Sequence, residues 1–233
     1  MNPVLIEDLL QRLVTGVLVG SIYGLLCTGL GMIFGVIRVI NFAQGEFMMA
    51  GMYTTMLVGL MLAATFGLGP ALGAYLAIIA AAALLAGAGW LLQRFVISRI
   101  SGARASGSDN EGHFAQLILT LGLSLVLSNV ALIWFGSSAR TVQSPLASSS
   151  WAVGPFTSGA IMIFVNQVRA IGCIGAIVAS LGLYLIVQRT RMGTSMRAAA
   201  DNPTAATLVG IDVERAYARA FAIGSAATAL AGR

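Results

Sequence analysis

Long apolar runs alternate with short polar stretches along the whole chain. Neither Leu13–Ile37 nor Phe47–Gln93 holds a charged residue. Runs of about 20 apolar residues match the hydrocarbon thickness that a helix must cross, whereas barrel strands would be about 10 residues long and alternating. The pattern predicts a polar lead over Met1–Arg12, forming a short surface helix. It predicts spans over Leu13–Ile37, Phe47–Thr65, Ala71–Leu92, Phe114–Phe135 and Ala170–Val187, and a sixth starting at Ala216. Gly67-Leu68-Gly69-Pro70 interrupts the second apolar run. Polar loops are expected over Gln93–His113, Gly136–Val168 and Gln188–Arg215; within the second, Ile161–Val165 is too short to cross and reads as a short strand or a surface turn. The last span would hold about 17 residues, barely enough to cross, which predicts a C-terminally truncated chain. The expected fold is all-α: a polytopic transmembrane bundle of about six spans, one domain over residues 1–233, with residues 188–215 as a cytoplasmic loop.

Composition agrees. The chain has 233 residues, 58% hydrophobic and 9% charged, against roughly 25% charged in soluble domains. Its net charge of +5 comes entirely from arginine on the basic side, since there is no lysine. The arginines cluster in two loops, with Arg94, Arg99 and Arg104 after span 3 and Arg189, Arg191, Arg197 and Arg215 after span 5. The loop after span 4 has Arg140, with Arg169 at its edge. The positive-inside rule therefore places the first two loops in the cytoplasm, the N-terminus and the Gly67–Pro70 turn outside, and residues 38–46 toward the inner side. Trp90 and Trp134 fall near span ends, where interfacial aromatics belong. Glu7 and Asp8 replace the basic start of a signal peptide, so none is expected. Cys27 and Cys173 lie in apolar segments and read as small packing residues.

Between spans 1 and 2 stands Gly35-Val36-Ile37-Arg38-Val39-Ile40-Asn41-Phe42-Ala43-Gln44-Gly45-Glu46. Asn41 and Gln44 have capping-box spacing for a helix starting at Phe42, with Glu46 near its positive end. Two readings stay open: a discontinuous helix facing a cavity, with Arg38, Asn41, Gln44 and Glu46 as path or hinge residues, or an ordinary turn with interfacial charges. Arg38 with Glu46 is the ion pair to test. Gly16, Gly20, Gly24, Gly31 and Gly35 repeat at four-residue spacing, a face expected to pack against another helix of the same chain rather than line a pore or a subunit seam. Thr120, Ser124 and Ser128, with Asn129 beside them, form a polar stripe on span 4, read as hydrogen-bonding glue before substrate lining.

In the second arginine-rich loop, Ser195–Ala200 reads as a short helix. Asn202 and Pro203 start a second one that stops at Gly210, and Asp212 caps span 6. These small helices fit either a docking knob for another protein or a solvated connector. Catalytic constellations are missing: the sole histidine, His113, stands near Asp109 and Glu111 in a Ser/Gly-rich loop without a second His or Cys, and no phosphate-binding loop occurs.

Gly20–Leu26, Gly35–Glu46, Thr120–Ser124, Trp134–Gly136, Arg189–Gly193, Met196–Asn202 and Ala205–Ile211 together resemble the inner-membrane permeases of branched-chain amino-acid ABC importers, nearly from end to end. The resemblance implies a non-enzymatic permease in the bacterial inner membrane, paired with a second homologous permease, with two cytoplasmic ATPases beneath and a soluble substrate-binding protein outside. It implies no cofactor in this chain, since ATP is used by the partner. It also implies ATPase coupling through Arg197, Ala199, Asn202, Ala205, Ala206 and Gly210. The family commonly has His where Gln44 stands, and it is longer at the C-terminus. Alternatives are a permease for urea, short amides or another small solute, and a self-sufficient secondary transporter or channel, which would need mid-span coupling carboxylates.

Overall fold

The computed structural model describes residues 3–38, 40–67, 70–101, 109–138, 149–156 and 161–232. The chain order is α1 (Pro3–Ile37), α2 (Gln44–Phe66), α3 (Pro70–Leu92), a π-helical turn (Gln93–Ile97), α4 (Ser98–Ser101) and α5 (Asp109–Phe135). A hairpin of β1 (Ser150–Phe156) and β2 (Ile161–Asn166) follows, then α6 (Gln167–Arg189), α7 (Arg191–Asp201), α8 (Pro203–Leu208) and α9 (Val213–Ala231).

Five of these helices are long and apolar enough to cross a membrane. Their outward faces carry Leu13, Val17, Leu60, Ile118, Ile133 and Ile177, all exposed, as suits contact with lipid rather than water. The sixth, α9, is built differently. It has 19 residues, about 28 Å at 1.5 Å per residue, and is rich in alanine. It sits at the centre and packs against α1, α2 and α3. Small residues let these backbones approach closely. A Cβ on Gly29 of α1 would stand 2.8 Å from the Gly224 carbonyl oxygen, and one on Gly51 of α2 would stand 2.8 Å from Ala229 Cα. Phe221, Ala227 and Ala229 fill the space between.

Several boundaries differ from expectation. The polar lead is not a separate surface helix but the first turns of α1, whose apolar periodicity reaches back to Leu5 and Leu9. The loop expected from Gln93 begins later, because the helix runs on through the π turn to Ser101. The backbone of residues 109–113 is helical, so His113 lies on a helix rather than in a loop. β2 has a partner the pattern did not indicate, β1, paired antiparallel from Ser150↔Asn166. Among the described residues nothing packs on the glycine face of α1: a Cβ at Gly16, Gly20, Gly24, Gly31 or Gly35 would meet nothing within 4 Å. In the helical period those glycines fall opposite Leu25, Gly29, Ile33 and Ile37, the face that α9 covers.

The two ends of the bundle sort as the arginine distribution requires. Gln11, near the start of α1, donates from Nε2 to the Phe164 carbonyl at 2.6 Å and accepts from the Phe164 N–H at 2.9 Å. The N-terminus and the loop after span 4 therefore share one end. At the other end α7, from the arginine-rich loop, packs its Met196 and Ala199 against Met32 and Val36 of α1 and against α9.

Candidate functional site

The break after α1 begins at Arg38, which holds φ at 59°, a left-handed conformation that usually falls to glycine. Its N–H still donates to the Phe34 carbonyl at 2.8 Å, closing the helix, while its side chain is exposed. Asn41 then makes a local turn: its Oδ1 accepts from the Ala43 N–H at 3.1 Å. Its Nδ2 donates to Gln44 Oε1 at 3.2 Å. This replaces the expected capping box. The helix starts at Gln44, not Phe42, and Ala43 at its N-cap contributes no side-chain bond. The two side chains meet each other because both are buried.

Gln44 Nε2 donates onward to the Thr228 hydroxyl, which itself donates to the Gly224 carbonyl at 2.9 Å. The start of α2 is thereby tied to the last turns of α9. Phe47 meets Phe221 edge-on, ring centroids 5.9 Å apart, below the same junction. Glu46 has a different partner from the one expected. Ser128 of α5 donates to its Oε1 at 3.1 Å, and Arg38 forms no ion pair with it.

The polar stripe of α5 divides. Thr120 is buried and donates to the Leu117 carbonyl at 3.0 Å; Ser124 is half-buried; Ser128 reaches Glu46; Asn129 is exposed and donates to the Leu125 carbonyl at 2.7 Å. Four buried polar residues among those described were not singled out in the sequence: Gln93, Gln116, Ser225 and Thr228. Gln116 carries a legible signal, since it extends the Thr120–Ser124–Ser128 spacing by one step of four.

The arginine-rich loop folds as a hairpin of α7 and α8. Thr190 caps α7, accepting from the Gly193 N–H at 3.1 Å. Gly193 lies so near the Val187 carbonyl that no Cβ fits. Arg197 donates to the Val187 carbonyl and, at 3.0 Å, to Gln188 Oε1, capping the end of α6. Asn202 Oδ1 accepts from the Ala205 N–H at 3.0 Å with Pro203 at the first helical position, and Gly210 turns the chain at φ 83°. Asp212 then caps α9, accepting from the Arg215 N–H at 3.0 Å.

The family model described as branched-chain amino acid transport system, permease component, matches residues 12–233. The high-affinity branched-chain amino acid transport system permease protein LivH of Salmonella typhimurium is 33% identical over 228 residues, 96% of this chain and 69% of its own length. BraD, the protein of the same description in Pseudomonas aeruginosa, is 29% identical over 95% of this chain and 69% of its own length. A probable LivH of Methanocaldococcus jannaschii is 25% identical over 100% of this chain and 68% of its own length. No solved structure matches significantly. The chain belongs to this permease family.

Within this permease the six sequence-derived hairpin residues separate by position. Ala199 and Ala206 are buried inside the hairpin, and Arg197 and Asn202 hold its shape, whereas Ala205 and Gly210 are exposed. The most exposed apolar side chains of the hairpin are two that sequence reasoning left out of its site: Leu208 at 83% and Val209 at 75%. They crown a hairpin whose other face is locked to α1 and α9, close to the Arg38 break. The permease thus has a stiff connection between an exposed apolar tip and a polar interruption in its bundle.

Proposed function

We propose that this chain is the membrane-spanning subunit of an ATP-driven importer of branched-chain or other apolar amino acids in a bacterial inner membrane. It works beside a second homologous permease, above two cytoplasmic ATPases and below a soluble binding protein. The chain holds no cofactor itself; ATP is consumed by the partner subunits. The observation that carries this reading is the packing of Met196 and Ala199 against Met32, Val36 and α9, because it joins the exposed Leu208–Val209 tip to the helix break.

In this mechanism the ATPases grip that tip, and their closure drives α7 and α8 as one body. Movement of α7 is passed to the end of α1 and to α9. The segment between α1 and α2 absorbs the displacement, since it interrupts the helices, while the start of α2 is held through Gln44–Thr228 and Glu46–Ser128. The permease performs no chemistry; a solute follows the two arrangements according to its different affinity for each. The test is uptake of radiolabelled leucine into proteoliposomes holding the assembled subunits, with the binding protein and ATP supplied on their proper sides. Leucine should accumulate only with ATP and the ATPases. Uptake by this chain alone without ATP would contradict the proposal, and accumulation of urea or acetamide in place of leucine would contradict its substrate class.

A further inference from the structure

A narrow cleft lies between α1, the break, the π turn, α5 and α9, lined by Ile33, Ile37, Asn41, Gln93, Ile97, Gln116, Thr120 and Phe221. Half of these side chains are polar, although the surrounding helices are apolar. The π turn creates this arrangement. Gln93 and Ile97, four apart, are both turned inward, while Arg94, Phe95 and Val96 between them are exposed. Such widened turns recur where a helix must present a particular group.

Gln93 is 1% exposed, and its Oε1 has no hydrogen-bond partner among the described residues. A leucine would fill the same space without an orphaned carbonyl, so a dry pocket would make glutamine the costlier choice. We propose that the cleft binds a water molecule that donates to Gln93 Oε1 and bridges the π turn to α5. The lining offers the water a second acceptor, because Thr120 Oγ1 spends its proton on Leu117 and keeps lone pairs free. Neither an ion nor a zwitterionic solute fits as well: none of the eight lining side chains is charged, and charge held there would lack a counter-charge. The enclosed space is about 10 Å³, the size of a site for one water at roughly 10–15 Å³ and far below the roughly 300 Å³ at which organic-ligand pockets begin. The water makes the link between the π turn and α5 replaceable, so the two can shift without leaving Gln93 bare. This inference does not depend on the transport mechanism above.

Radiolytic hydroxyl-radical footprinting of the assembled transporter tests it, because a radical made from a bound water oxidises the side chain beside it. Phe221 lines the cleft; Phe47, equally enclosed but outside the lining, reports on folding. Phe221 should be oxidised in the wild type while Phe47 is not, and its oxidation should fall to the Phe47 background in Gln93→Leu. Thr120→Val, which keeps Gln93, provides a second variant with the same expectation should Gln93→Leu expose Phe47. Unmodified Phe221 in the wild type, or oxidation unchanged in the variant that keeps Phe47 protected, would overturn the proposal.

Discussion

Arg38 shows most clearly how one residue sets the break. A left-handed conformation costs an L residue roughly 1–2 kcal/mol, and glycine avoids that cost. Arg38→Gly should therefore be more stable than Arg38→Ala by about 1 kcal/mol in thermal or denaturant unfolding of the purified permease, since both variants remove the charge and only one keeps a Cβ. Equal stability would show that the chain does not take the left-handed turn there. Asn41 and Gln44 illustrate what spacing alone leaves undecided. Their separation of three was readable, but spacing does not distinguish a side chain that caps a helix from one that bonds its neighbour. Burial under α9 decided it: Gln44 could turn to Thr228, a residue 184 positions away.

At the scale of elements, the hairpin was largely legible. Asn202, Pro203, Gly210 and Asp212 each stand where their local chemistry places them, because caps and stops depend only on nearby backbone. Which face of the hairpin is free was not legible, since that depends on what α7 covers. Ala206 reads like Ala205 in the sequence, yet only Ala206 is buried. The proposed docking contact therefore falls on Leu208 and Val209, the hairpin's most exposed apolar side chains. Leu208→Asp with Val209→Asp should abolish co-purification of the ATPases while the permease keeps its yield and its elution volume in detergent; undiminished co-purification would remove the tip from the interface. Arg197 is a poor place for that test. Its guanidinium holds the end of α6, so a charge reversal there would deform the hairpin whatever its partner.

For the whole molecule, hydropathy found the five spans, because lipid-facing side chains declare themselves by composition, but it started the first at Leu13 where the helix already spans from Leu5. The central helix was harder to weigh. α9 is the core of the bundle, yet its alanines and its Arg215 and Arg219 make it the least greasy of the six. A helix packed on several sides by protein need not be apolar enough for lipid; it needs to be thin. The glycine face of α1 went the other way for the same reason. Periodicity located the face, but only the position of α9 could say that it points outward.

The account turns on an inner hairpin that a cytoplasmic motor can reach. Labelling of Val209→Cys by a membrane-impermeant maleimide, in a chain carrying Cys27→Ala and Cys173→Ala, measures this directly. Modification should occur in inside-out vesicles and not in right-side-out ones, and adding the ATPases should suppress it. Labelling in right-side-out vesicles, or labelling that the ATPases leave untouched, would contradict the account.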